Sequence, residues 1–97
     1  MAIEERKLYR RVKLMGTATK MTSTDYKERL QAEYTQLSIR IDGLTDSLKH
    51  YKETYTPLQL DLMEQQLNAM TNYKNVLELR ARVENIELEN YKAGTGK

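Results

Sequence analysis

A strict spacing of apolar residues in the middle of the chain constrains its fold more than any other feature. These residues are separated by four and three positions in alternation: Leu30, Tyr34, Leu37, Ile41, Leu44, Leu48, Tyr51 and Tyr55. This heptad spacing places all of the side chains on one face of an α-helix, and such a face packs against another helix. A helix from Asp25 to the low fifties would be roughly 40 Å long.

The start of a second long helix is marked by the sequence Thr56-Pro57-Leu58-Gln59. Thr56 can cap the helix, Pro57 suits its first position, and Gln59 completes a capping box. We predict a helix from Pro57 to about Lys92 that stops at Gly94, followed by a tail at residues 93–97 that should fray. The turn at residues 52–56 is short, so the two long helices should be antiparallel neighbours.

The N-terminal segment predicts a shorter helix over residues 3–15, with apolar positions at Ile3, Leu8, Val12 and Met15. Gly16 opens a Thr-rich stretch that we interpret as a linker ending in an N-cap at Ser23 or Thr24. The chain thus divides into residues 1–24, a basic amphipathic helix with a linker, and residues 25–97, a hairpin domain for oligomerisation and ligand binding. The predicted fold class is all-α.

The second long helix carries two apolar stripes, and a two-helix hairpin can cover only one of them. Leaving side chains the size of Leu or Val in water forfeits about 1.5–3 kcal/mol each. We therefore expect identical copies to associate. The first stripe is Leu60, Met63, Leu67, Met70, Leu77, Ala81 and Leu88, and the second is Leu62, Ala69, Tyr73, Val76, Leu79, Val83 and Ile86.

Composition argues against catalysis, cofactors and membrane insertion. The chain has no Cys and a single histidine, His50, so neither a thiolate metal site nor an activated nucleophile is indicated. It contains no Gly-rich phosphate loop or comparable catalytic motif. No signal peptide and no membrane-spanning run of apolar residues is apparent. We expect a cytoplasmic protein that binds rather than catalyses, with no cofactor and no metal.

Basic charge is concentrated at the N-terminus, where residues 1–20 hold six basic and two acidic side chains. Basic segments commonly meet anions, although a solvated helix end would look the same. Aromatic faces flanked by cations suit a base and its phosphate. Arginines that border the apolar stripes could instead form plain ion pairs, as Arg80 could with Glu78 or Glu84. The candidate ligand-binding residues are Tyr9, Arg10, Tyr26, Lys27, Arg40 and Arg80.

Part of the sequence resembles the hairpin domain of the anti-CBASS and anti-Thoeris sponges, small phage immune-evasion proteins that sequester cyclic signalling nucleotides made by the infected host. The likeness covers about residues 25–88. It rests on Asp25-Tyr-Lys-Glu-Arg-Leu, Arg40-Ile-Asp-Gly-Leu44, Met63-Glu-Gln-Gln-Leu-Asn-Ala-Met70 and Val76-Leu-Glu-Leu-Arg80. Its most specific part is the run from Glu64 to Tyr73, in which Gln66 is an insertion.

The resemblance implies a hexamer of hairpins in the host cytoplasm, with pockets between protomers. The implied ligands are cyclic dinucleotides such as cGAMP, cyclic trinucleotides or cyclic ADP-ribose isomers, held without cleavage so that CBASS-type signalling is blocked. It also implies an N-terminal Tyr stacked on a base and a Lys near the start of the first long helix. Tyr9 and Lys27 match these by position, with Tyr26 and Arg40 as rivals, and the Thr-rich linker alters the spacing between them.

Two other functions stay open on the residues alone. One is a small phage DNA- or RNA-binding regulator, in which the basic N-terminal arm follows the phosphates. The other is a helical adaptor that binds another protein through the second stripe. The favoured partners are a cyclic di- or trinucleotide and further copies of the chain, and neither a membrane nor a nucleic acid is the expected partner.

Overall fold

The computed structural model describes residues 2–89, which form three α-helices, one short 3₁₀ turn and no strand. Helix α1 spans Ile3–Met21, α2 spans Tyr26–His50 and α3 spans Pro57–Val83, with the 3₁₀ turn at Lys52–Thr54 between α2 and α3. The all-α prediction is confirmed for this part of the chain. None of the three helices has the length and apolar character needed to cross a membrane.

The starts of α2 and α3 are set by side chains that cap their first backbone amides. The capping box at α3 is confirmed, because the Thr56 hydroxyl accepts from Gln59 N at 3.1 Å and Gln59 Oε1 accepts from Thr56 N at 2.8 Å. The predicted cap of α2 at Ser23 or Thr24 is wrong. Asp25 is the cap, with its carboxylate accepting from Lys27 N at 3.0 Å, while Ser23 Oγ donates to Glu28 at 2.6 Å.

Helix α1 continues to Met21, so the predicted linker is wrong for residues 16–21. Thr17 is buried against the rest of the protein, and its hydroxyl donates to Leu14 O at 2.7 Å within the helix. Burial of this side chain with its hydroxyl satisfied outweighs the weak helix propensity of threonine. The connection between α1 and α2 is therefore only residues 22–25.

Substitution of Gly16 by alanine should stabilise the protein. Gly16 lies inside α1, and a Cβ atom there would meet nothing within 4 Å. Because glycine costs about 0.5–1 kcal/mol relative to alanine in a helix, Gly16→Ala should raise the free energy of unfolding by about that amount, measured by urea denaturation. Gly43→Ala is the control with less room, since its Cβ would lie 3.4 Å from Arg10 Nε. A loss of stability in Gly16→Ala would contradict the helix at that position.

Helix α2 is the centre of the fold, and both α1 and α3 pack against it. Two small clusters form the apolar contact of α2 with α3 and the segment that follows it, one of Leu30, Ala81 and Ile86 and the other of Tyr34, Leu37 and Leu77. The beginning of α2 thus lies against the end of α3. The heptad seam is confirmed as a packing face, with its first three residues buried and the other five half-buried.

Helix α3 ends at Val83, so the prediction of a helix through residues 84–89 is wrong. Asn85 adopts a φ of 56°, and Ile86 N donates to Ala81 O at 2.8 Å, which closes the helix in the manner of a Schellman motif. The chain then turns back, so that Ile86 is buried beside Leu30 instead of lying on the exposed second stripe. Burial of Ile86 is the physical reason for the early end. The predicted stop at Gly94 and the tail lie outside the described residues.

Candidate ligand-binding site

Two arginines of α1, Arg6 and Arg10, bind the two aspartates of α2, Asp42 and Asp46. Arg6 Nε lies 2.9 Å from Asp46 Oδ2, and Arg10 Nη1 lies 2.8 Å from Asp42 Oδ2 and 2.6 Å from Asp46 Oδ2. We call these four residues the ion-pair cluster. Gly43 lies between the two aspartates, and a Cβ atom there would lie 3.4 Å from Nε of Arg10, a residue that is only 9% exposed. The cluster fastens α1 to α2.

Charges within the ion-pair cluster balance one another. Burial by itself would raise the pKa of Asp46, but hydrogen bonds and charges from Arg6 and Arg10 outweigh it and hold that pKa below its ordinary value. Burial would lower the pKa of Arg10, and the two carboxylates more than reverse this effect. Arg10 was a predicted ligand-binding residue, and its charge is already neutralised inside the protein.

Other cations of α1 are also engaged with acidic residues. Lys7 Nζ lies 3.6 Å from Glu4, and Lys13 Nζ lies 3.3 Å from Glu89 and 5.7 Å from the centre of the Tyr9 ring. The exposed side of α1 carries apolar side chains at Leu8, Val12 and Met15 as well as two cations, Arg11 and Lys20. The predicted basic arm therefore does not present its cations as one free surface.

Tyr26 and Arg80 come together where α2 begins and α3 ends. Arg80 Nη2 donates to the Tyr26 hydroxyl, and its guanidinium lies 5.9 Å from the centre of that ring. The hydroxyl donates to Glu84 Oε2 at 3.4 Å, and Arg80 Nε lies 3.9 Å from the same oxygen. The ion pair with Glu84 that the sequence left open is therefore present. Lys27 lies beside Tyr26 in the first turn of α2 and is exposed.

Tyr34 is a packing residue. Burial raises its pKa to about 12, and a hydrogen bond of 2.5 Å from its hydroxyl to Glu78 acts in the same direction. Its ring lies in the cluster with Leu37 and Leu77. Glu78, the other possible partner of Arg80, is thus occupied by Tyr34.

Two adjoining depressions on the surface of α2 share Leu37 and Arg40, and we call them together the Arg40 groove. The larger, of about 630 Å³, is lined by Arg10, Leu37, Arg40, Gly43, Leu44, Ser47, Gln66 and Met70. The smaller, of about 240 Å³, is lined by Met21, Glu33, Gln36, Leu37, Arg40 and Tyr73.

Arg40 is exposed and makes no ion pair or hydrogen bond with any residue from 2 to 89. The Tyr73 ring, 43% exposed, lines the same groove. Arg40 was among the predicted site residues and Tyr73 was not. The sequence signal that could have identified Tyr73 was its position off the heptad seam. That Tyr73 lies near Arg40, however, depends on how α3 packs on α2.

A single copy of the chain does not bring all six predicted residues together. Arg10 and Arg40 share the larger depression, Tyr26, Lys27 and Arg80 lie at one end of the helices, and Tyr9 lies on α1 beside Lys13. A third depression, between α1, α2 and residues 87–89, has two lysines and two glutamates in its lining. Among residues 2–89 no group of three or more His, Cys, Asp or Glu side chains could hold a metal ion.

Comparison with known proteins gives a family match for the part of the chain that contains α2 and α3. A family model described as Sequestin matches residues 24–83, well over half of the chain, and leaves α1 outside. Among curated proteins and solved structures, no significant match to the chain was found. The matched region covers most of the stretch that resembles the phage sponges, and the resemblance is confirmed at the level of the family. The chain therefore belongs to the Sequestin family, a name that denotes sequestration of a bound molecule.

Proposed function

We propose that this protein is a phage immune-evasion protein that binds a cyclic oligonucleotide messenger in the host cytoplasm and withholds it without cleaving it. The favoured ligands are cyclic dinucleotides such as cGAMP, with cyclic trinucleotides as the next class. Membership in the Sequestin family supports sequestration. The observation that carries the choice of ligand is that one groove holds both an exposed ring, Tyr73, and a cation, Arg40, that has no ion pair among residues 2–89.

The chemistry of the Arg40 groove suits a nucleotide. Stacking of a base on an aromatic ring contributes about 1–3 kcal/mol, and Tyr73 offers such a face. The guanidinium of Arg40 can donate two parallel hydrogen bonds to a phosphate, and it forms no ion pair with a carboxylate of residues 2–89. Glu33 and Gln36 line the same depression and can accept from the amino group of a base. Leu37 supplies an apolar floor.

Tight capture requires contacts from more than one copy of the chain. Nanomolar binding corresponds to about −12 kcal/mol, which one stacked base and one arginine do not supply. In the proposal, α2 and α3 form an antiparallel hairpin, and the hairpins assemble as a homo-oligomer, with a hexamer favoured. Tyr26, Lys27 and Arg80 lie at the edge of the protomer, where a neighbouring copy can bring them to a shared ligand.

Binding without turnover is the direct test of a sponge. Purified protein is expected to melt at a higher temperature with cyclic di- or trinucleotides, and heat denaturation should return the ligand with its mass unchanged. Linear dinucleotides of the same bases are the control and should stabilise less. Absence of a shift across the whole panel would overturn the proposal, and recovery of a cleaved product would replace sequestration with hydrolysis.

Arg40→Gln is expected to weaken binding of the stabilising cyclic nucleotide about tenfold to a hundredfold, because charge-assisted hydrogen bonds contribute about 1.5–3 kcal/mol. Isothermal titration calorimetry measures the dissociation constant. Arg11→Gln is the matched control, since Arg11 is also an exposed arginine but lies on α1 away from the Arg40 groove. Equal losses in the two variants would mean that only total charge matters, and the assignment of Arg40 would fail.

The nucleic-acid alternative has less support. It required the N-terminal cations to face a phosphate backbone, whereas Arg6, Lys7, Arg10 and Lys13 are each paired with acidic residues. Binding of duplex DNA that falls steeply with salt would revive it.

A further inference from the structure

The outer face of α3 carries a second heptad seam that runs the full length of the helix. Its ends are apolar, with Leu58, Leu62, Val76, Leu79 and Val83 all more than half exposed. Its middle is small or polar, with Gln65, Ala69 and Asn72, also exposed. These eight residues follow one another at intervals of four and three, and the side of α3 that packs on α2 holds Leu77 and Ala81 instead. No other part of residues 2–89 covers this outer seam.

We propose that the outer seam of α3 packs against the same seam of a second copy of this chain, with the two helices antiparallel. The seam is symmetric about the point between residues 70 and 71. In that register, Leu62 faces Leu79 of the second copy, Leu58 faces Val83, and Gln65 faces Val76. Every large apolar residue at one end of the seam therefore meets an apolar residue or the stem of a glutamine.

Charges beside the seam favour the antiparallel direction. Asp61 flanks the seam near its beginning and Arg82 flanks it near its end, and both are exposed. Antiparallel packing brings Asp61 of each copy beside Arg82 of the other, which gives two opposite-charge contacts. Parallel packing would place Asp61 beside Gln66 instead. Within residues 2–89, Arg82 has no ion pair and Asp61 accepts a hydrogen bond from Gln65 at 3.0 Å.

This interface deepens the self-assembly in the proposed function and rests on it. Arg80 lies on the flank of the seam opposite Arg82, where the antiparallel register places Gln59 of the second copy next to it. The second copy would therefore contribute a polar side chain beside Tyr26, Arg80 and Glu84. This contact would connect the interface with Tyr26, Arg80 and Glu84 at the edge of the protomer.

Engineered cysteines test the direction, because the natural chain has none. Leu62→Cys protein and Leu79→Cys protein are mixed in equal amounts and oxidised, and the products are weighed by mass spectrometry. Antiparallel packing should give mainly the mixed disulfide, since two cysteines at position 62 would lie roughly 25 Å apart along the axis. Products made of two identical variants would show parallel packing and overturn the proposal.

Charge exchange tests the same register without a cross-link. Asp61→Arg and Arg82→Asp should each weaken self-association about tenfold in sedimentation equilibrium, because each creates two like-charge contacts. The double variant, Asp61→Arg with Arg82→Asp, should restore it. Single variants that associate like the natural protein, or a double variant no better than the singles, would overturn the register.

Val76→Lys and Val12→Lys separate this surface from the other exposed apolar face, on α1. The two valines are similarly exposed, at 51% and 59%. Val76→Lys should abolish association and Val12→Lys should leave it intact, while loss with Val12→Lys alone would place the interface on α1 and overturn the proposal. The rise in melting temperature with cyclic nucleotides is measured for Val12→Lys in parallel. Self-association reports on the proposed interface and this rise reports on nucleotide binding, so failure of one can be distinguished from failure of the other.

Discussion

Asp46→Asn is expected to lower the free energy of unfolding by about 3 kcal/mol. Asp46 is buried and accepts hydrogen bonds from both Arg6 and Arg10, so removing its charge leaves two partly buried guanidinium groups with Asp42 as their remaining acidic partner in the cluster. Urea denaturation followed by circular dichroism measures the change. Glu64→Gln removes an equivalent charge from the exposed surface of α3 and should change stability by less than about 0.5 kcal/mol.

The pH dependence of the same variant provides a second readout. Because the pKa of Asp46 is lowered in the folded state, its contribution is complete above the ordinary value of 3.8 and is lost as the pH falls through the folded value. The natural protein should therefore lose stability below about pH 4, and Asp46→Asn should show a shallower loss over that range. Identical acid profiles for the two proteins would contradict a native ion-pair cluster.

Leu77→Ala is expected to cost about 3 kcal/mol of unfolding free energy. Leu77 is completely buried and packs against Tyr34 and Leu37, so truncation removes apolar contact and leaves a cavity between α2 and α3. Thermal and urea unfolding, each followed by circular dichroism, measure the loss. A small helical protein with few fully buried side chains has little other core to compensate.

Leu8→Ala is the control for Leu77→Ala, because Leu8 is 57% exposed on the outer face of α1. The same chemical truncation should there change the unfolding free energy by less than about 0.5 kcal/mol. A comparable loss in both variants would mean that the outer face of α1 is covered in solution. No loss in Leu77→Ala would contradict the packing of α3 on α2.

Helix α1 lies outside the region that matches the Sequestin family, but the ion-pair cluster connects it to the proposed ligand site. Arg10 both holds α1 on α2 and forms part of the wall of the Arg40 groove. A weakened cluster should therefore alter the shape of that groove as well as the stability of the fold. Comparison of ligand affinity in Asp46→Asn and Glu64→Gln separates this indirect effect from direct contact by Arg40.

Local sequence signals determined the features that depend on neighbouring residues. The capping box at Thr56 and Gln59 closes over three residues, and the apolar seam from Leu30 repeats every helical turn, so both were evident without knowledge of the fold. The sequence also predicted that a second apolar stripe on α3 would be exposed, because α2 can cover only one of its two stripes. Arg40 was a site candidate because it borders an apolar stripe and because the family resemblance offered it as a rival of the best-matching residues.

Only the tertiary structure decided which distant residues meet. Arg10 and Asp46 are 36 positions apart, and their pairing depends on how α1 lies across α2, which no local pattern encodes. The same is true of Tyr73 beside Arg40, and of Ile86, whose burial against Leu30 ends α3 before the predicted position. Helix caps and periodicity arise from hydrogen bonds and side-chain spacing over a few residues, whereas these contacts arise from the packing of whole helices. The sequence by itself therefore specified the helices and their apolar faces, and the packing of those faces decided which charges of residues 2–89 form ion pairs with one another.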